Sequence, residues 1–223
     1  MNRVSLAALA AGFILLLTGC ASGNDNNIWG EYFQILKQGA ASTFSHRAVT
    51  REQAAAIPYA TMGYRLNGGP EMMIVLATDT NGDLLWTSAA RIVLLTRDGR
   101  IIRTVGLPHD ISGVMPMMGN SLPAPAAVLK GAFTSIRTVD FPDAGNYSVP
   151  ITCEMMMARG GETISILGQP IPTRRADESC KSSGWSFKDS FWLDPSSGFV
   201  WRSLQHLTPK GDTIETEILR PPG

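Results

Sequence analysis

Pairs of carboxylates are the side chains in this sequence that could most directly perform catalysis. Asp189 and Asp194 flank an aromatic segment, and Glu215 and Glu217 have the spacing that places two side chains on one face of a strand. Two such carboxyl groups can act as acid and base in glycan cleavage. Solvent-facing acids on strands are far commoner, and the sequence has no Gly-x-Ser-x-Gly, phosphate-loop or dinucleotide motif. We therefore expect a protein that is not an enzyme, with hydrolysis by a carboxylate pair as the catalytic alternative.

Potential metal ligands are scattered along the chain. His46, His109 and His206 lie far apart, whereas zinc sites usually draw on closely spaced His and Cys ligands. Clustered methionine thioethers can bind Cu(I), although flexible apolar packing is their alternative use. We expect no metal and no other cofactor. The methionine groups are Met72–Met73, Met115, Met117–Met118 and Met155–Met157.

The amino-terminal segment has the pattern of a leader that directs secretion. Arg3 precedes an apolar run from Leu6 to Leu17, which is shorter than the roughly 20 residues of a membrane-spanning helix. A basic start, a short apolar run and small residues at its end are typical of a signal peptide. The run ends in Leu17-Thr18-Gly19-Cys20, which resembles the lipobox of bacterial lipoproteins. A plain signal peptide with a chance cysteine is the alternative.

The lipobox resemblance implies that residues 1–19 are removed and that Cys20 becomes an acylated amino terminus. Several acyl chains on Cys20 would anchor the protein stably in a membrane, and residues 20–27 are small or polar enough to form a flexible tether. Ala21 follows the cysteine. In the lipoprotein class an Asp at that position tends to retain the protein in the inner membrane. We therefore expect anchoring in the outer membrane, on its periplasmic side.

Two further cysteines, Cys153 and Cys180, would lie in an oxidising compartment after export. Such a compartment favours a disulfide between them. In the chain-entropy model a link across this span stabilises the fold by about 3–4 kcal/mol. Two buried free thiols are the alternative, because the sequence does not fix the distance between them. No histidine is placed beside either residue, so a catalytic cysteine is not expected.

Composition and charge exclude several broad classes of protein. The 223 residues include 19 Lys plus Arg and 19 Asp plus Glu, and 44% are hydrophobic. Because no basic excess is available to neutralise phosphates, we expect no nucleic-acid partner. The apolar content is too high for a disordered chain. The length fits one globular domain, which we predict to cover residues 28–223.

The elements that position these residues are predicted to be mainly strands. Residues 28–45 show a helical period, and Thr50 with Gln53 has the spacing of a capping box, which predicts a short helix ending before Pro58. From about residue 60 the period becomes two. We predict an all-β fold, an antiparallel sheet of roughly ten strands curled into an open half-barrel after a short N-terminal helical region. The predicted strands cover residues 71–78, 84–88, 92–96, 101–105, 133–141, 147–155, 163–167, 185–193, 199–207 and 213–219.

One long segment interrupts this pattern. Residues 106–131 contain four prolines and four glycines, which disfavour an extended strand. We predict a long loop there, with a short helix near residues 126–130. Loops of this length are often functional or mobile.

A central block of the sequence carries a resemblance to a known family. The block closely resembles the YjbF/GfcB family of bacterial lipoproteins, which is linked to exopolysaccharide and group 4 capsule production, and the lipobox sits where that family has it. Residues 106–131 and 158–184 match the family poorly. The matching residues are Ile57-Pro58-Tyr59-Ala60, Arg65-Leu66-Asn67-Gly68-Gly69-Pro70, Val75-Leu76-Ala77, Trp86, Thr96-Arg97-Asp98-Gly99-Arg100, Thr104, Phe191-Trp192-Leu193-Asp194, Gly198, Arg202-Ser203 and Gln205.

The resemblance implies an outer-membrane lipoprotein that acts as a non-enzymatic accessory in exopolysaccharide or capsule export or assembly. Its partners would be the membrane, the export or assembly proteins and the polysaccharide itself. The alternative is a periplasmic module that holds a glycan or lipid on a concave sheet. Tyr59 and Trp86 could stack on a sugar or pack in the core. Arg65 and Arg100 could pair with carboxylates of the domain or with an acidic polymer.

Overall fold

The computed structural model describes residues 48–119 and 121–223. The predictions for residues 1–47, which include Cys20, the tether and the helix over residues 28–45, lie outside this range. Among the described residues, no helix has both the length and the apolar character needed to cross a bilayer.

The chain enters the fold through a short helix, α1 (Arg51–Ala55), at the predicted capping box. Thr50 Oγ1 accepts a hydrogen bond from the Gln53 backbone N at 3.3 Å, and Gln53 Oε1 accepts one from the Thr50 backbone N at 2.9 Å. These two bonds satisfy donors that the first helical turn leaves free. The helix ends before Pro58, as predicted.

Strands form most of the remaining structure. The described residues contain thirteen strands and two 3₁₀ helices, Pro125–Lys130 and Pro142–Ala144. The strands are β1 (Thr61–Leu66), β2 (Met72–Thr80), β3 (Asp83–Thr87), β4 (Val93–Arg97), β5 (Arg100–Val105), β6 (Gly113–Pro116), β7 (Phe133–Phe141), β8 (Asn146–Met157), β9 (Glu162–Ile166), β10 (Gln169–Ser182), β11 (Trp185–Leu193), β12 (Val200–His206) and β13 (Thr213–Arg220).

The strands form one antiparallel sheet that nearly closes into a barrel. Their order is β5-β4-β3-β2-β1-β13-β12-β11-β10-β8-β7-β6, and β9 pairs with β10 outside this path. The end strands β5 and β6 meet at a single seam in the described chain, where the Thr104 backbone N donates to the Ile111 carbonyl at 2.9 Å. The predicted fold, a curled antiparallel all-β sheet, is confirmed.

Two hairpin turns have the backbone that their Asn-Gly and Asp-Gly sequences require. Asn81 and Gly82 join β2 to β3 with φ of 54° and 84°, and Asp98 and Gly99 join β4 to β5 with φ of 51° and 78°. Two successive left-handed residues make a turn whose twist matches that of the flanking strands. A larger residue at position 99 is also excluded sterically, because a Cβ there would lie 2.5 Å from Val200 Cβ on β12.

Three strands were not predicted, and each has a physical reason. The prediction of a long loop over residues 106–131 is wrong in part, because strand β6 lies within this segment although it begins with Gly113 and ends with Pro116. The 3₁₀ helix Pro125–Lys130 lies where a short helix was predicted in the same segment. Strand β1 contains Gly63, which weakens the strand pattern. Strand β10 begins with two prolines and turns a charged residue, Glu178, toward the interior, so the alternation of apolar residues that marks a strand is broken.

Candidate functional site

The barrel interior holds a buried ionic network at the position of predicted contact residue Arg100. The two terminal guanidinium nitrogens of Arg100 on β5, Nη1 and Nη2, donate to the carboxylate of Glu178 on β10, at 2.6 and 2.9 Å. Arg137 on β7 donates to the same carboxylate at 3.1–3.2 Å. The three side chains are at most 5% exposed. Arg100 therefore pairs with a carboxylate of its own domain, and the prediction that it could contact a polymer is not supported.

Burial and charge oppose each other at Glu178. Burial alone would raise the pKa of its carboxyl group, but the positive charges and hydrogen bonds of Arg100 and Arg137 outweigh burial and lower the pKa to about 2. Glu178 is therefore ionised at neutral pH and holds β5, β7 and β10 together through the interior. The Arg100–Glu178–Arg137 network therefore links strands on different sides of the barrel through its interior.

Asp189, one member of the predicted carboxylate pair, belongs to this interior. Its Oδ1 accepts from the His206 backbone N at 2.8 Å and lies 3.2 Å from His206 Nδ1, and its Oδ2 is 3.8 Å from Arg137. Burial raises its pKa. Asp194 instead lies in the β11–β12 turn, where Ser196 and Ser197 donate to it. The two carboxylates thus occupy different environments, one in the barrel interior and one in an exposed turn.

The interior has little free space in its described part. A cavity of about 30 Å³ lies beside Arg137, Asp189, His206 and Trp185. This volume holds about one water molecule. A glycan or an acyl chain does not fit in this cavity, which is lined by the protein's own side chains.

The two predicted aromatic contacts differ in their exposure. Trp86 on β3 is fully buried, and its Nε1 donates to Thr96 Oγ1 at 3.0 Å. It packs in the core with Ile74 and Leu94. Tyr59 is partly buried just before β1. Trp86 therefore does not form a stacking surface for a sugar.

An outer cleft lies on the opposite face of the sheet. It has a volume of about 370 Å³ and is open to solvent. Strands β1, β12 and β13 form its floor, while α1 and the turn between β9 and β10 form a wall. Its charged lining residues are Arg51, Arg65, Glu71, Arg202, Glu215 and Glu217.

Predicted contact residue Arg65 lies at the centre of the outer cleft. Its guanidinium is 3.2 Å from Glu71, 3.1 Å from Glu215 and 3.7 Å from Glu217. Arg202, on the neighbouring strand β12, pairs with Glu217 and lies 3.7 Å from Glu215. Glu215 and Glu217 share the outer face of β13, as their spacing predicted. The floor is therefore an ion-pair network in which arginines and glutamates alternate. The pairing register of the strands fixes the positions of these side chains.

Two of these carboxylates are buried beneath the cleft surface. Glu71 accepts from the Val49 backbone N at 2.6 Å, and its side chain is 3% exposed. Burial raises the pKa of Glu217, and the nearby charges of Arg202 and Arg65 only partly offset this effect. Gly63 makes room for the arrangement, because a Cβ at that position would lie 2.5 Å from Glu71 Oε1.

Hydrogen bonds from arginine side chains to backbone carbonyl groups fix the wall of the cleft. Arg51 donates to the Leu167 carbonyl at 2.8 Å, and Arg202 donates to the Ser165 carbonyl at 3.1 Å. These bonds attach α1 and the β9–β10 hairpin to the barrel over the cleft. Sequence reasoning did not identify Glu71, although a lone charge heading an apolar strand was a usable signal.

Cys153 and Cys180 face each other across β8 and β10. They are register partners, with Cα atoms 4.1 Å apart and sulfur atoms at a bonding distance of 2.09 Å. Both are buried, and Arg137 lies 3.6 Å from the Cys180 Sγ. The structure therefore has the geometry that the predicted disulfide needs.

Comparison with known proteins gives a consistent match over most of the chain. The family model described as "Group 4 capsule polysaccharide lipoprotein gfcB, YjbF" matches residues 38–219. Among relatives, the uncharacterized lipoprotein YjbF of Escherichia coli (strain K12) is 23% identical over 209 residues, covering 92% of this chain and 93% of that protein. The uncharacterized lipoprotein GfcB of the same strain is 25% identical over 213 residues, covering 94% and 95%.

A solved structure shares the fold. The crystal structure of the hypothetical lipoprotein YmcC from Escherichia coli (K12) superimposes with a TM-score of 0.71 at 23% identity, covering 91% of this chain and 100% of that chain. The nearly closed antiparallel barrel is therefore an architecture that also occurs in that lipoprotein.

Proposed function

The chain belongs to the YjbF family of group 4 capsule polysaccharide lipoproteins, and we propose that it is a non-enzymatic accessory in exopolysaccharide or capsule export or assembly. The observation that carries this proposal is the match of the family model over residues 38–219, together with the lipobox-like Leu17-Thr18-Gly19-Cys20 that precedes it. Its partners in this role are the export or assembly proteins and the polysaccharide.

Cys20 is proposed to carry the lipid that holds the protein on the periplasmic side of the outer membrane. Both Escherichia coli relatives are named lipoproteins. Ala21 in place of an aspartate supports the outer membrane as the destination. In the oxidising periplasm the Cys153–Cys180 pair would be a disulfide, which supports a fold that must persist outside the cell.

The ion pairs of the carboxylates support a structural role for these side chains. In the described chain, Glu178, Glu71, Glu215 and Glu217 each contact at least one arginine. Arg100 and Arg137 outweigh burial at Glu178 and lower its pKa to about 2, so Glu178 is a poor proton donor at neutral pH, whereas burial raises the pKa of Glu217 despite its arginine contacts. The role of Glu178 in an accessory protein is to hold the shape of the barrel.

Deletion and complementation in the native host test the proposal. Loss of the gene should reduce polymer output or its display on the cell surface, and the unaltered gene should restore both. Cys20→Ser, which cannot be acylated at that position, should fail to restore them although the domain is unchanged.

Ala21→Asp is the matched variant, because it keeps Cys20 and alters only the residue that influences sorting. It should remain lipidated, move to the inner membrane and restore output poorly. Unchanged polymer output and display after deletion would refute the accessory role. Full restoration by Ala21→Asp from the inner membrane would refute the outer-membrane location.

A further inference from the structure

The outer cleft is a large recess that is lined by fixed polar groups and open to solvent. Its 370 Å³ lies within the range of small-molecule sites. The interior cavity, at about 30 Å³, and the recess at the barrel seam near Pro123, at about 20 Å³, are too small for more than water. Of these three recesses in the described residues, the outer cleft is the one that can hold a ligand larger than water.

The charges of the cleft favour a neutral ligand. Three arginines and three glutamates line it, so their formal charges sum to zero. Arg65 and Arg202 are already engaged by Glu71, Glu215 and Glu217. A phosphate or carboxylate ligand would have to compete with these carboxylates for the guanidinium groups, and a cation would have to compete with the arginines.

The same groups are well suited to hydroxyl groups. A hydroxyl both donates and accepts a hydrogen bond, so it can bridge a carboxylate oxygen and a guanidinium N–H without breaking the ion pair. Arg202 donates through its Nη2 to the Ser165 carbonyl and pairs with Glu217, so its guanidinium is fixed beside the carboxylates of the floor. Leu167 and Leu219 provide apolar surface beside these polar groups. Alternating donors and acceptors next to an apolar patch match a sugar ring.

The carboxylates on the floor of the cleft are preorganised for binding. Glu71 and Glu217 are 3% and 7% exposed, and each is held by an arginine. Side chains that are already fixed lose little conformational entropy when a ligand binds. Gly63 preserves the space that Glu71 occupies. The floor of the cleft is therefore set before any ligand arrives.

We propose that the outer cleft binds a short, neutral, hydroxyl-rich segment of the polysaccharide, about one or two sugar units long. This inference rests on the proposed function for the identity of the polymer. The geometry itself specifies only a neutral polyhydroxylated ligand.

Binding of polymer fragments to the full lipidated protein in detergent tests the inference. The probes are fragments of two to four sugars prepared from the native host's polysaccharide and separated into neutral and acidic fractions, with inorganic phosphate as a comparator. Calorimetry should show saturable binding of the neutral fraction and weaker binding of the acidic fraction. Phosphate should not compete.

Two substitutions on different walls connect binding to the cleft. Glu215→Ala removes a partly exposed acceptor from the floor, and Arg51→Ala removes an exposed donor from the wall. Each should weaken binding about ten-fold or more, as expected for one charge-assisted hydrogen bond. Glu154→Ala is the matched control, because Glu154 is an exposed strand glutamate on β8, and it should bind like the unaltered protein. Melting temperatures of all three variants should show that they are folded.

The outcomes separate this inference from the proposed function. No binding of neutral fragments, equal binding by the Glu215→Ala, Arg51→Ala and control variants, or displacement by phosphate would overturn the cleft assignment. Shortening of the fragments would overturn it in favour of a hydrolase. If deletion lowers polymer output but no fragment binds, the cleft inference fails and the accessory role stands. If fragments bind but deletion has no effect on polymer output, the accessory role fails and the cleft inference stands.

Discussion

Replacement of Glu178 by glutamine should destabilise the protein more than any other single removal of a charge in the described chain. The substitution keeps the shape of the side chain but removes the carboxylate that Arg100 and Arg137 share, each 5% exposed, and leaves Asp189, 3.8 Å from Arg137, as the remaining negative charge beside them. Removal of one partner from a buried ion pair typically costs about 3–5 kcal/mol. The shift of the Glu178 pKa from 4.5 to about 2 corresponds independently to about 3 kcal/mol.

This contribution depends on pH with a definite sign. Because folding lowers the pKa of Glu178, its contribution is complete above about pH 4.5 and is lost as the pH falls toward 2. Urea unfolding of the unaltered protein and of Glu178→Gln should therefore differ by about 3 kcal/mol near pH 6. The difference should narrow steadily and nearly vanish near pH 2. At pH 6 the melting temperature of the variant should fall by roughly 6–12 °C.

Two further variants act as controls for this prediction. Arg137→Gln leaves the two short Arg100–Glu178 hydrogen bonds in place, so it should cost less than Glu178→Gln. Asp194 also has a pKa of about 2, lowered chiefly by a hydrogen bond from Ser196, but it lies in an exposed turn. Solvent screens interactions there, so Asp194→Asn should cost much less. The free energy of unfolding could instead fall by less than about 1 kcal/mol in Glu178→Gln, or by an amount that does not change between pH 5 and 2. Either result would show that the ion pairs of Glu178 do not stabilise the fold in this way.

Three other predictions concern covalent, backbone and core features. Replacing Cys153 and Cys180 together by alanine should lower the free energy of unfolding by about 3–4 kcal/mol, and intact mass of the unaltered protein should be 2 Da below that of its reduced form; equal masses would exclude the disulfide. Gly99→Ala should cost about 2–4 kcal/mol, because it adds backbone strain to a clash with β12. Gly82→Ala, which meets open space, should show the strain alone, and equal losses would rule out the clash. Trp86→Phe should cost about 1–3 kcal/mol through loss of its buried hydrogen bond, yet leave fragment binding unchanged; weaker binding by a folded variant would contradict the assignment of Trp86 to the core.

Local signals in the sequence predicted the local structure well. The capping box at Thr50 and the Asn81-Gly82 and Asp98-Gly99 turns each depend on neighbouring residues only, so their geometry could be predicted from a few positions. The strands with regular apolar alternation were also predicted. Strand β10 was missed because its inward-facing residues include Glu178, whose charge is compensated by residues from distant strands.

The roles of the candidate site residues depended on register, which the sequence does not encode locally. Arg65 and Arg100 look equivalent in the sequence, but one faces the outer cleft and the other the barrel interior. The partner of Arg100 is 78 residues away and that of Arg65 on β13 is 150 residues away. Pairings over such distances emerge only when the sheet closes. The outer cleft, which requires three strands, α1 and a hairpin turn, could not be predicted for the same reason.

The pairing of β1 with β13 has a consequence for how this chain matures. The first strand of the sheet gains one of its two neighbours only when the last strand has been made, and Arg65 meets Glu215 across 150 positions. A polypeptide exported from its amino terminus would expose unpaired backbone and apolar surface on β1 until β13 (Thr213–Arg220) emerges. Non-local topologies of this kind fold slowly, and partly folded chains with open strand edges aggregate. Loss of even the last strand through premature termination would therefore leave the amino-terminal half without its closing neighbour, and quality-control proteases would be expected to remove such products.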